Sequence, residues 1–383
     1  MHGDVDSAAS GRMTHADYLG QRRFGALDGL RAIAILLVFT AHQRGDLFPV
    51  FHGATGVTLF FVLSGFLITS LLLREEDRTG KVDFRSFYIR RTFRIYPLYF
   101  GIIALYCVLI LGLGMDSGRR GIWVDNLPFI VWFPEHLPFF RTTELYPPFS
   151  GAWSIGIEEK FYLVWPVLGF VLLARWKRAR IPALVVVAAS SLLTSFVDPL
   201  MFLAPYQHLA FGALAALLLH RESTYRAVAW LGRPAVLVAT TSAAVALQFA
   251  FGTEVYFYGS LYGMDGFVLA LVVAGLVTVR PSWPGVAWLS SRPMVFLAAI
   301  SYTFYLAHGF LVNAVEMVVP EEWGRAGSVL SGSVGLGLSI YACWLVHRFY
   351  EEPLRAYGVR LSRRVRAARG PSDVDVLREP AAV

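Results

Sequence analysis

The chain has 383 residues, of which 56% are apolar and only 16% charged, with 34 Lys and Arg against 27 Asp and Glu for a net charge of +7. A mean hydropathy of +0.54 with so few charges excludes an ordinary soluble domain, in which charged residues make up roughly a quarter. The two cysteines, Cys107 and Cys343, lie inside apolar runs, which excludes a disulfide framework or a zinc site, and the polar N-terminal stretch gives no sign of a cleaved signal peptide.

Apolar runs able to form membrane-spanning helices, which need about 20 residues each, fall at residues 28–46, 55–73, 95–114, 152–174, 182–197, 204–219, 235–252, 259–279, 294–318 and 328–348. The chain reads as an all-α polytopic protein of the cell membrane with ten transmembrane helices. Residues 1–26 form a loose polar lead-in, residues 27–356 the membrane body, and residues 357–383 a basic, then polar, partly disordered tail. The one long connection, residues 115–151, carries Trp123, Trp132 and several prolines, and is expected to dip into the interface or cap an entrance. In this topology all but six of the 34 Lys and Arg fall on the side of the N-terminus. The exceptions are Arg44, Arg119, Arg120, Arg141, Arg325 and, inside a span, Lys160. That asymmetry places both termini in the cytoplasm. It also removes nucleic acid as a partner, because the positive excess is topological, and leaves the lipid bilayer.

Ionisable residues within a span are costly and tend to face a bundle interior or a water-filled cavity. Four stretches carry them. In the first span Asp28 is the expected N-cap, and Arg31 and His42 stand eleven positions apart, close to a whole number of turns. Both therefore project from one face, roughly 16–17 Å apart along the axis. The pair reads as an anion anchor and a proton-handling group, or as a snorkelling arginine and a packed histidine. At the cytoplasmic end of the third span Arg91 and Arg94 share a face at i, i+3. Two guanidinium forks suit a phosphate, or anchor the helix to lipid headgroups. In the fourth span Ser154, Glu158 and Tyr162 repeat every four residues and line one stripe, beside Trp153. In the ninth, Tyr305 and His308 share a face.

Together these stretches resemble the acyltransferase-3 family of bacterial integral membrane O-acyltransferases over residues 24–356. The resemblance rests on Arg-x10-His (Arg31, His42) and the run from Gly56 through Phe60-Phe61-Val62-Leu63-Ser64-Gly65-Phe66-Leu67. It continues with Phe-x3-Arg-x2-Arg-Ile-x-Pro (Phe87, Arg91, Arg94, Ile95, Pro97) and Trp-Ser-x3-Glu (Trp153, Ser154, Glu158). It closes with Ser-Tyr-x2-Tyr-Leu-x-His (Ser301, Tyr302, Tyr305, His308) and Glu-x-Pro (Glu351, Pro353).

The resemblance implies transfer of an acyl group, usually acetyl, from a cytoplasmic acyl-CoA co-substrate, with no permanently bound cofactor or metal. The acceptor would be a hydroxyl of a surface polysaccharide, a cell-wall glycan or a glycosylated antibiotic such as a macrolide. Attack on a thioester needs a general base, the role expected of His42. Arg91 and Arg94 would hold the donor's phosphates, and Arg31 an anionic part of the donor. Glu158 would orient His42 or the acceptor, and Ser154 would hydrogen-bond near the thioester. Trp153, Tyr162, Tyr305 and His308 would line the substrate site. A proton-coupled transporter could also carry His, Glu and Arg within spans, but would usually show internal repeats, and none is evident. A membrane scaffold would not need His42 and Glu158 at depth.

Overall fold

The computed structural model describes residues 11–43, 53–115, 117–136, 148–194, 196–250 and 261–368. These residues form helices almost throughout: α1 His15–Gly20, α2 Gly25–Thr40, α3 Gly53–Thr79, α4 Phe84–Cys107, α5 Arg120–Trp132, α6 Trp153–Val167, α7 Arg180–Thr194 and α8 Tyr206–His220. After these come α9 Glu222–Val228, α10 Pro234–Ala250, α11 Leu261–Thr278, α12 Pro284–Leu289, α13 Arg292–Glu316, α14 Gly324–Val346 and α15 Glu352–Ala367. A helix stands at every apolar run of the sequence. Among the described residues four segments are long and apolar enough by themselves to cross a membrane: Gly53–Thr79, Phe84–Gly112, Arg292–Glu316 and Glu321–Ala367. A fifth candidate is the pair Glu222–Gly232 and Pro234–Phe249, bent by 74°. The protein is a multi-pass, all-helical membrane protein.

α3 is the hub. Its Leu63 and Phe66 pack with Leu27, Ala216 and Val273 in one core, while its Phe61 and Leu72 pack with Ile95, Phe161 and Leu209 in another. α3 and α8 approach closely because glycines face the partner backbone in both directions. A Cβ on Gly65 would stand 2.0 Å from the Leu209 carbonyl oxygen, and one on Gly212 2.0 Å from that of Val62. Without a hydrophobic drive between helices in lipid, such small-residue contacts are how backbones pack. A third core joins α2 to α13 through Ile35, Phe39, Ile300 and Phe304.

Several sequence-based expectations change. The described part of the lead-in is not loose. Thr14 caps α1, Tyr18 is buried against Phe24 and Tyr225, and Met13 N–H donates to the Thr278 carbonyl. Asp28 is not the N-cap of α2. The helix begins at Gly25, and Asp28 sits in its first turn, 2.6 Å from Arg23 and 4.0 Å from Arg31. The connection at 115–151 contains α5, whose Trp123 is fully buried, and the turn Pro134–His136. That turn lies against the back of α6: Lys160 pairs with buried Glu135, and a Cβ on Gly156 would meet Glu135 at 2.4 Å. Pro138, Arg141, Pro147, Arg44 and the tail beyond 368 lie outside the described residues. The tail up to Ala367 is helical: α14 passes through the π segment His347–Glu351 into α15, which packs along α4.

α6 also ends in a π segment, Leu168–Leu172. Arg180, only 1% exposed, donates from Nε to the Gly169 carbonyl there (2.7 Å) and bidentately to Glu76 (2.7 and 2.9 Å). The insertion of a residue into a helical turn displaces carbonyls from their regular partners, and this arginine takes one of them up.

Candidate active site

The stripe predicted on α6 faces inward. Ser154, Glu158 and Tyr162 line a partly open chamber of about 90 Å³. α2 adds Arg31, α3 adds Phe60, Phe61 and Ser64, α4 adds Arg91 and Arg94, and α13 adds Ser301, Tyr302 and Tyr305. Four of these helices, α2, α4, α6 and α13, thus bring together seven of the ten expected site residues. Trp153 is not among the lining residues; its ring packs edge-on against Phe61, 6.0 Å between centroids.

Glu158 is held by hydroxyls. Ser64 donates to its Oε1 (2.9 Å) and lies 2.6 Å from the Tyr162 hydroxyl, which donates either to Ser64 or to Glu158 Oε2 (3.2 Å). Ser64 had no assigned role; a serine in an apolar run carries little signal beyond its place in the motif. Arg91 stacks over the Tyr162 ring, 4.9 Å to the centroid. The hydroxyls of Ser154 and Tyr305 meet at 2.6 Å, and Tyr305 can donate instead to the Gly151 carbonyl (3.0 Å). Tyr302 donates to the Ile95 carbonyl (2.8 Å), two residues before Pro97, in the region where the proline interrupts the backbone ladder of α4.

His42 and Arg31 are not on one chamber wall. α2 ends at Thr40, and His42 N–H donates to Phe39 O, a tighter turn that rotates the side chain off the helical face. His42 instead meets His308, ring centroids 4.8 Å apart at 83°. His308 is buried and lies 6.2 Å from the Tyr305 ring. Each imidazole has its Nδ1 against backbone carbonyls: Val38 O at 2.8 Å for His42, and Tyr305 O at 2.9 Å and Phe304 O at 3.1 Å for His308. Carbonyls only accept, so Nδ1 carries a proton, and in the neutral tautomer this selects the lone pair falls on Nε2. His308 Nε2 is buried with no hydrogen-bond partner among the described residues.

On the other side, Arg31, Arg91 and Arg94 also line a second, open cavity of about 810 Å³. Its wall holds ten arginines, among them Arg22, Arg74, Arg90 and Arg363, against two carboxylates, Asp28 and Glu75. The order along the protein is therefore a basic vestibule, three shared arginines, the Glu158 cluster, the Ser154–Tyr305 pair, and the two histidines. This arrangement can hold a long polyanion by one end and present its other end to hydroxyls and an imidazole. Among the described residues no group of His, Cys, Asp and Glu is placed to hold a metal ion.

Residues 24–348 match the model of a family described as an acyltransferase domain. The chain is 29% identical over 382 residues to the putative peptidoglycan O-acetyltransferase YrhL of Bacillus subtilis (strain 168), covering 90% of this chain and 57% of that one. It is 27% identical over 369 residues to the O-acetyltransferase OatA of Staphylococcus aureus (strain NCTC 8325 / PS 47), covering 88% and 58%. It thus spans less than three fifths of the length of these relatives. No solved structure matches the chain.

Proposed function

This chain belongs to the acyltransferase-3 family, and from that premise we propose that it is a membrane O-acetyltransferase moving an acetyl group from cytoplasmic acetyl-CoA to a hydroxyl of a glycan. The observation that carries the reading is the shared arginine wall: Arg31, Arg91 and Arg94 line both the basic vestibule and the chamber holding Ser154, Glu158 and Tyr305. A CoA thioester is a polyanion with a reactive end on a long neutral arm. Its phosphates fit the vestibule and its arm reaches inward. The chamber of about 90 Å³ has room for an acetyl group.

In this mechanism Arg91 and Arg94 hold donor phosphates through paired N–H groups, and Arg31 supports them from α2. The Ser154 and Tyr305 hydroxyls stand where the thioester carbonyl arrives and donate to its oxygen as charge develops there. Glu158, satisfied by Ser64 and Tyr162, balances the arginine charge and fixes Tyr162 under Arg91. His42, its Nδ1 committed to Val38, takes the acceptor's hydroxyl proton on Nε2, with His308 beside it. The alkoxide adds to the carbonyl carbon, the C–S bond breaks, and the proton passes to the leaving thiolate, giving ester and free CoA.

The shorter helices are read as crossings too, making ten, with both termini on the vestibule side in the cytoplasm, where the donor is made. One relative is named for peptidoglycan, which favours a cell-wall glycan over an antibiotic as acceptor. The test is binding of radiolabelled acetyl-CoA to the purified protein in detergent, followed by transfer of label to glycan fragments. Saturable binding displaced by CoA, and base-labile label on the glycan, are expected. Absence of donor binding would overturn the reading.

A further inference from the structure

The family match ends at residue 348, yet the vestibule has a wall beyond it. α15, Glu352–Ala367, places Val359, Ser362, Arg363 and Arg366 on that cavity. It is seated firmly. A Cβ on Gly358 would stand 2.5 Å from that of Phe93, the Tyr357 and Phe93 rings are 5.2 Å apart, and Ser86 donates to the Ser362 carbonyl at 3.2 Å. At its root, buried Glu351 accepts from Thr303 (2.8 Å) on α13 and pairs with His347 (2.9 Å). α15 is therefore fixed to the two helices, α4 and α13, that also carry chamber residues.

Arg363 and Arg366 repeat, on one face, the i, i+3 spacing of Arg91 and Arg94. The two pairs differ in depth. Arg91 and Arg94 line both the vestibule and the chamber, whereas Arg363 and Arg366 line the vestibule alone, and Arg363 is exposed at its rim. A CoA donor carries phosphate at two depths as well: the pyrophosphate next to the pantetheine arm, and a 3′-phosphate on the ribose at the far end. The inner pair takes the first.

We infer that Arg363 and Arg366 of α15 form the binding site for the terminal 3′-phosphate of the CoA donor, so that the C-terminal helix reads CoA as distinct from donors lacking that group. This rests on the proposed acetyl-CoA reading. A phosphomonoester and a lipid headgroup phosphate share the chemistry two arginines recognise, and the experiment separates them.

The full chain, purified in detergent, is titrated with acetyl-CoA and with acetyl-dephospho-CoA. Wild type should bind the first about tenfold or more tightly, a difference of about 1.4 kcal/mol or more. The double variant R363Q/R366Q should lose that preference, its affinity for acetyl-CoA falling to that for the dephospho donor while the latter stays constant. R360Q/R364Q removes the same charge from exposed positions of α15 off the cavity and should keep the preference. R363K/R366K, which keeps charge, should retain part of it and guards against a folding defect. Survival of the preference in R363Q/R366Q overturns the inference, as does equal weakening of both donors in both glutamine variants. Loss of the wild-type preference in nanodiscs containing phosphatidylglycerol, but not in neutral ones, overturns it in favour of lipid. If wild type binds neither donor, the acetyl-CoA reading itself falls and this site with it.

Discussion

His42 and His308 face each other edge to plane, 4.8 Å between ring centroids, although 266 positions separate them in the chain. Both direct Nδ1 to main-chain carbonyls just upstream, Val38 for His42 and Phe304 and Tyr305 for His308. The pairing leaves two Nε2 lone pairs at the end of the pathway farthest from the vestibule.

His42→Ala is expected to lower transfer by about 10²–10⁴-fold, the range of a general base, with acetyl-CoA affinity unchanged. His308→Ala should cost less if His308 only supports its neighbour. Single-turnover transfer and donor binding, measured on the same preparations, separate the two effects. Wild-type turnover in His42→Ala would remove the base from this residue.

Replacing Arg91 and Arg94 together with Gln should raise the KM for acetyl-CoA far more than the KM for the glycan. Lysine at both positions should recover only part of the loss, since an ammonium lacks the planar fork. An unchanged donor KM would make these arginines topological anchors.

Arg180 and Glu76 offer a stability test away from the chamber. Arg180→Ala strands a carboxylate and a carbonyl, and removing one partner of a buried pair costs about 3–5 kcal/mol. Lys177, 3.3 Å from Glu76, softens that loss. The double variant R180M/E76L should melt at a higher temperature than Arg180→Ala alone. The opposite order would show that the pair does not stabilise the α6 π segment as described.

Sidedness follows from the order of groups. With acetyl-CoA sealed inside oriented proteoliposomes and an impermeant glycan outside, acetylated glycan should accumulate outside. Product formed only when both substrates share the inner compartment would place the acceptor in the vestibule.

The sequence made some of this arrangement legible and hid the rest for identifiable reasons. A four-residue spacing of Ser154, Glu158 and Tyr162 survives into the structure because it lies wholly within one regular helix. Arg31 and His42 do not share a wall because the same arithmetic runs past the end of α2, where a tighter turn replaces the helix. Asp28 resembles an N-cap in isolation. Helix α2 starts earlier, at Gly25, where a Cβ would stand 2.7 Å from the Ser290 hydroxyl, a closeness no local pattern encodes. Ser64 was invisible for want of a polar neighbour in sequence, since its partners are 94 and 98 positions away. The arginines of α15 read as a charged tail because only the packing of Gly358 on Phe93 turns two of them toward the cavity.

The reciprocal contact of Gly65 on Leu209 and Gly212 on Val62 has a mechanical consequence. With each glycine backed against the other helix's carbonyl, neither α3 nor α8 can slide or roll without a backbone collision. A carrier that rocked about this pair would have to break that packing. Ser64, one position from Gly65, holds Glu158 from the same close-packed helix. Under the proposed function, transfer would take place beside this close-packed pair of helices.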